Sequence, residues 1–184
     1  SLQTTRMALH AIKAGEGDVF ISAGVETVSR FAKGSSDSWP DTHNPLFAEA
    51  TARTAAVAEK GASEWVDPRE NGLLPDAYIA MGLTAENLAL RYKVSRKDQD
   101  QFALRSHQLA AQATDSGAFG REVIPTWGRD DEGRKKLLTV DQCIRWDTNL
   151  EALGALKPAF MPDRGTVTAG NSSPLNVGAA AVLI

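Results

Sequence analysis

Positions at three- and four-residue steps open the chain with a mostly apolar face: Leu2, Thr5, Leu9 and Ile12 fall together on a helix predicted over 2–14, with Arg6 and Lys13 free to reach solvent. Gly15 and Gly17 stop it. The run that follows, VFISAG at 19–24, is apolar without alternation, which predicts a central strand covered on both faces. A helix feeding a buried strand indicates α/β architecture. At the other end, GTVTAGNSSPLNVGAAAVLI at 165–184 is a polar Gly/Asn/Ser turn running into an unbroken small-apolar strand, expected to rejoin the same sheet.

Between these ends the texture changes. Gly34 to Ser38 and Pro40 mark a loop, an alanine-rich stretch over 47–60 reads as helix, and 68–75 is irregular. A short helix is predicted over 84–92 and a long one over 96–116, with Ser95 as N-cap, Asp98 near the positive helix end and Gly117 as the stop. Phe102, Leu109, Ala110 and Ala113 are its predicted apolar stripe. Strands at 122–127 and 137–141 flank a charged turn at 130–136 that contains Gly133, the pattern of a surface hairpin. A last short helix over 148–156 ends at Lys157-Pro158, because a residue before proline is pushed out of helical geometry.

At 184 residues, with 42% apolar and 23% charged residues, the chain suits one soluble domain of ordinary size, or one domain with an insertion, able to bury roughly 70% of its unfolded surface. No run approaches the ~20 apolar residues that span a bilayer, and no basic start precedes an apolar core, so neither a membrane partner nor a secretory signal is expected and the cytoplasm is the default location. A net charge of −3 with the basic 134–136 balanced by Asp130, Asp131 and Glu132 argues against nucleic acid as a partner. The single cysteine, Cys143, rules out an intrachain disulfide and a multi-cysteine zinc site.

Motifs of known mechanism are few: no GxGxxG, P-loop, HExxH or GxSxG occurs. His10, His43 and His107 are dispersed and read as satisfied or solvent-facing side chains. Cys143 stands among acids in a strand end or loop, whereas an activated thiol wants a helix N-terminus or cationic neighbours. It reads as inert, with Arg145 a charged neighbour.

Six segments in order carry more: the SLQ helix, AGEGDVFISAGVETVS, MGLTAEN at 81–87, LKPAF at 156–160, TVTAGNSS at 166–173 and GAAAVLI. In this order they resemble the thiolase family over essentially the whole chain. The resemblance implies an α/β fold, a partial thiolase-fold N-terminal domain (helix plus buried strands), with 1–27 and 165–184 as pieces of the core and 28–164 as an inserted α+β loop domain carrying coenzyme A and subunit contacts. It implies acyl transfer between acyl-CoA and coenzyme A, 3-ketoacyl-CoA thiolysis or the reverse Claisen condensation, through an acyl group held on a cysteine. Acyl-CoA and CoA enter as substrates, with no covalently bound cofactor and no metal, in a homodimer or homotetramer of fatty-acid metabolism.

The family's nucleophile belongs at the start of the first helix, whose amides and dipole favour a thiolate, and alignment puts it about three residues before Ser1. The family's GHPxG, NEAF and CxGGG motifs are also missing from these residues, so this chain alone holds no catalytic residue and is expected to be inactive. Binding positions remain. Met81 corresponds to a methionine lining the acyl and pantetheine pocket, where a flexible polarizable side chain suits varied acyl shapes, although a core methionine would read the same. Ala80 stands where members that make acetoacetyl-CoA often carry histidine, which weakens the short-chain reading. Lys157 is placed to meet the nucleotide phosphates of coenzyme A, or is solvated surface. Gly170, Asn171 and Ser172, with Thr168 and Ser173, are expected to support the active site structurally. The alternatives are a ketoacyl synthase relative, against which MGxTAEN argues, and a non-catalytic thiolase-like binding or assembly protein.

Overall fold

The computed structural model describes residues 2–27, 42–130 and 132–184. Ser1 and the loop read at 34–40 lie outside them. The chain divides into two compact units, Ser1–Asn44 with Leu175–Ile184, and Pro45–Pro174.

The first unit holds helix α1 (Leu2–Lys13) and the strands β1 (Ile21–Glu26) and β4 (Gly178–Leu183). The strands pair antiparallel, Ile21 opposite Leu183 and Glu26 opposite Gly178, and reciprocal bonds between Phe20 and Ile184 continue the ladder. The helix meets β1 through Thr4 and Thr5, whose hydroxyls lie 2.7 and 3.0 Å from Ser22 Oγ, and its one buried residue is Ala8. This contact face is turned from the predicted one: Ala8 is inward while Leu2 and Leu9 are exposed. The strands are paired as expected but not covered. Ser22 is the one buried residue of β1 and β4 is exposed throughout, because a two-stranded sheet with one helix has too little chain to cover its faces.

The second unit opens with a 3-10 turn (Pro45–Phe47) and α2 (Ala48–Lys60), ended by Gly61 at φ 70°. A second 3-10 turn (Pro68–Asn71) leads through extended chain to α3 (Met81–Tyr92) and α4 (Arg96–Asp115). Ser95 caps α4 as predicted: its hydroxyl accepts from the Asp98 amide at 3.1 Å and donates to the Asp98 carboxylate. Gly117, at φ 75°, follows the helix end. The predicted stripe is corrected. Phe102 and Leu109 are 72% and 49% exposed, roughly 180–200° around the helix from buried Asp100, while Ala110 and Ala113 of the stripe are half-buried, as are Arg96, Gln99, Leu104 and His107. Polar bonds of Arg96, Gln99 and Asp100 hold the first turns of this face inside.

The hairpin forms, shorter than read, from β2 (Thr126–Arg129) and β3 (Lys135–Leu138). Helix α5 (Leu150–Gly154) is capped by Asn149, whose side chain accepts from the Ala152 amide at 2.9 Å. Among the described residues the buried apolar side chains are Ala8, Ala50, Ala89, Leu153, Met161 and Val167, a smaller core than the composition allows.

Candidate functional site

Helix α3 begins at the MGLTAEN motif. Ala80 is its N-cap in extended geometry, with its carbonyl accepting from the Leu83 and Thr84 amides, and Thr84 Oγ1 donates to the Met81 carbonyl at 2.6 Å. Met81 is 78% exposed. Glu86, on the other side of the helix, is 2% exposed, and its carboxylate accepts from the Thr166 amide at 2.9 Å, Thr166 Oγ1 at 2.9 Å and the Val167 amide at 2.8 Å. The approach is close enough to require glycine at 165, where a Cβ would lie 2.5 Å from the Met161 carbonyl oxygen and 2.7 Å from Glu86 Oε1. Gly82 plays the same part against LKPAF: a Cβ there would fall 2.1 Å from the Phe160 ring. The Ala159 amide also donates to the Val167 carbonyl at 2.9 Å.

The TVTAGNSS turn is held from within and from α4. Thr168 is fully buried, its amide donating to Asn171 Oδ1 at 2.7 Å and its Oγ1 accepting from the Gly170 amide at 3.2 Å. Ser172 Oγ donates to the Thr168 carbonyl. Asn171 Nδ2 donates to Asp100 Oδ1 at 3.0 Å and to the Thr166 carbonyl at 2.9 Å, and Gln99 Nε2 donates to Thr166 Oγ1 at 2.8 Å. Asp100 pairs with Arg96 at 2.8 Å, and Arg96 donates onward to the carbonyls of Leu153 and Leu156. Gly170 sits under Leu153 and Leu156, whose methyls would meet any Cβ there at 2.6 and 2.5 Å.

MGLTAEN therefore converges in the second unit with LKPAF and TVTAGNSS, two neighbouring segments whose contacts with it span about 80 positions of sequence. Of the residues singled out from sequence, Gly170 and Asn171 lie inside this cluster and Met81, Ala80, Lys157 and Ser172 are exposed. Residues 165–174 lie in the same compact unit as Glu86 and Asp100, which they contact. Glu86, Asp100 and Arg96 were not singled out from sequence. The one local signal was the i, i+4 spacing of Arg96 and Asp100, which any exposed helix pair also shows.

Elsewhere the chemistry is sparse. Cys143 is exposed, its amide donating to Asp141 Oδ1 at 2.9 Å, and His107 Nδ1 accepts from the Arg145 amide at 3.2 Å. Among the described residues no group of His, Cys, Asp and Glu could hold a metal ion, and no helix is long and apolar enough to cross a membrane. A cleft of ≈ 250 Å³ lies between α2, the 62–76 segment and α3, lined by Arg53, Val57, Trp65, Leu83, Asn87 and Met161 among others. Met81, Ala80 and Lys157 do not line it. Near its rim the Arg69 guanidinium, and then the Arg69 amide, hold the Asp67 carboxyl down at about 2.

The family model described as thiolase, N-terminal domain, matches residues 1–184. A 3-ketoacyl-CoA thiolase of Pectobacterium carotovorum is 42% identical over 184 residues, all of this chain and 41% of that protein. Another, of Marinobacter nauticus, is 37% identical over 188 residues and 40% of its length. Among solved structures, the dimeric peroxisomal thiolase of Saccharomyces cerevisiae matches 99% of the chain and 40% of its own, with TM-score 0.70 and 31% identity. Human mitochondrial 3-ketoacyl-CoA thiolase matches with TM-score 0.63 and 31% identity, over 99% of the chain and 42% of its own. The chain thus spans about two fifths of the length of the curated relatives it matches.

Proposed function

The chain belongs to the thiolase family, matching its N-terminal domain, and on that premise we propose that the protein containing it transfers acyl groups between acyl-CoA and coenzyme A, as a 3-ketoacyl-CoA thiolase. The observation that supports this most is the convergence of MGLTAEN, LKPAF and TVTAGNSS in one polar-bonded cluster of a chain 42% identical to a protein of that name. In this reading 28–164 is the inserted domain that contacts coenzyme A and neighbouring subunits, in a cytoplasmic homodimer or homotetramer.

The cluster leaves two side chains at its surface with suitable chemistry. Met81 offers a flexible, polarizable contact that tolerates different acyl shapes, and Ala80 beside it leaves room where a larger side chain would not. Lys157 supplies a cation for phosphate. Acyl transfer proceeds in two steps: a cysteine thiolate attacks the 3-keto carbonyl, the carbon–carbon bond breaks and the departing acetyl-CoA carbanion takes a proton, and coenzyme A thiol, giving up its proton, then takes the acyl group and frees the cysteine thiolate. The 184 residues supply binding surface to that sequence.

Thiolysis assays on the full-length protein test this. Cleavage of a 3-ketoacyl-CoA should depend on added coenzyme A, and Lys157→Ala should raise KM for coenzyme A about tenfold, the scale of one charge-assisted contact, with kcat nearly unchanged. Coenzyme A binding without turnover would favour the non-catalytic alternative.

A further inference from the structure

Arg96 occupies the first position of α4, where a cation faces the positive end of the helix dipole and costs helix stability. Its bonds lie elsewhere. Nη1 donates to the Leu156 carbonyl at 3.1 Å and Nη2 to the Leu153 carbonyl, which also accepts from the Leu156 amide at 3.1 Å, so the guanidinium bridges the last turn of α5 and the chain just beyond it. The Leu156 carbonyl belongs to the peptide bond that enters Lys157. On its third side Nε meets Asp100 Oδ2 at 2.8 Å, with the Asp100 side chain only 5% exposed. Asp100 spends its other oxygen on Asn171 Nδ2, and Asn171 in turn holds both the Thr166 carbonyl and the Thr168 amide. One unbroken line of bonds joins the 156/157 peptide to the turn at 166–171.

We propose that Arg96, Asp100 and Asn171 are positioning residues that hold Lys157 in register with the TVTAGNSS turn, so that affinity for coenzyme A depends on a guanidinium that does not touch it. This rests on the coenzyme A reading given to Lys157 above. A lysine at 96 would keep the charge opposite Asp100 but lack the planar fork that reaches two carbonyls at once. The position of Lys157, and not its charge, is what such a change alters.

The test is calorimetric titration of the full-length protein with coenzyme A, with thermal midpoints in parallel, for wild type, Lys157→Ala, Arg96→Lys and the double variant. Asp100→Asn, which keeps the side-chain shape, serves as the second probe should Arg96→Lys fail to fold. Lys157→Ala and Arg96→Lys should each weaken binding about tenfold, and the double variant should bind no worse than Lys157→Ala, because Arg96 acts through a side chain already removed. Arg96→Lys and Asp100→Asn binding like wild type, or losses that multiply in the double variant, would overturn the proposal while the coenzyme A reading stands. A wild type that does not bind coenzyme A overturns that reading, and the relay with it.

Discussion

Glu86 is a carboxylate taken almost wholly out of water, and such a group persists only when donors replace the water it loses. Its three donors come from Thr166 and Val167, some 80 residues onward, so no local pattern announces the role. By spacing alone Glu86 is one polar residue of an amphipathic helix. Asp67 shows the opposite case, with its partner two residues away. Arg69 lowers its carboxyl from the ordinary 3.8 to about 2, so the unfolded chain binds the proton more readily than the folded one between those values. The stability this pair contributes is therefore complete above about pH 4 and is lost as the pH falls towards 2. Thermal midpoints of wild type and Asp67→Asn should differ most near neutrality and converge on acidification. A gap that stays constant down to pH 2 would mean that the pair contributes nothing.

Among the elements, α3 is the one whose sequence carries most of its own placement. Its small residue at 82 admits the Phe160 ring and its acid at 86 holds the segment at 166–167. Gly82→Ala separates these effects cleanly. Alanine gains up to about 1 kcal/mol of helix propensity, but its methyl would stand 2.1 Å from the Phe160 ring, and overpacking of that kind costs about 1–3 kcal/mol. Urea denaturation should show a net loss of stability, recovered when Phe160→Leu is added. Helix α4 teaches the reverse lesson. Its start, its Ser95 cap and its length were legible in sequence because capping is local, yet its inward face was not, because Asp100 and Arg96 turn inward to bonds made with residues 153, 156 and 171.

On the scale of the whole molecule, the two units are supported very differently. The first rests on one antiparallel strand pair and one helix, with Ile21, Val25, Val182 and Leu183 each more than half exposed. A two-stranded sheet is marginal in water without further cover. In the isolated 184-residue chain, amides of Ile21–Glu26 should exchange with deuterium about 100-fold faster than those of Thr166 and Val167, which Glu86 binds. Equal protection would show the strand pair to be stable on its own. The sequence by itself determined the helices, the Ser95 cap of α4, the hairpin, the α/β class and the family, because periodicity, capping and ordered motifs are properties of neighbouring residues. Only the tertiary structure decided that MGLTAEN, LKPAF and TVTAGNSS meet, that Glu86, Asp100 and Arg96 bind them, and that the apolar strands lie uncovered within this chain. The reason is physical: a buried charge and a covered strand are defined by partners distant in sequence, and pattern along the chain carries no distance between them.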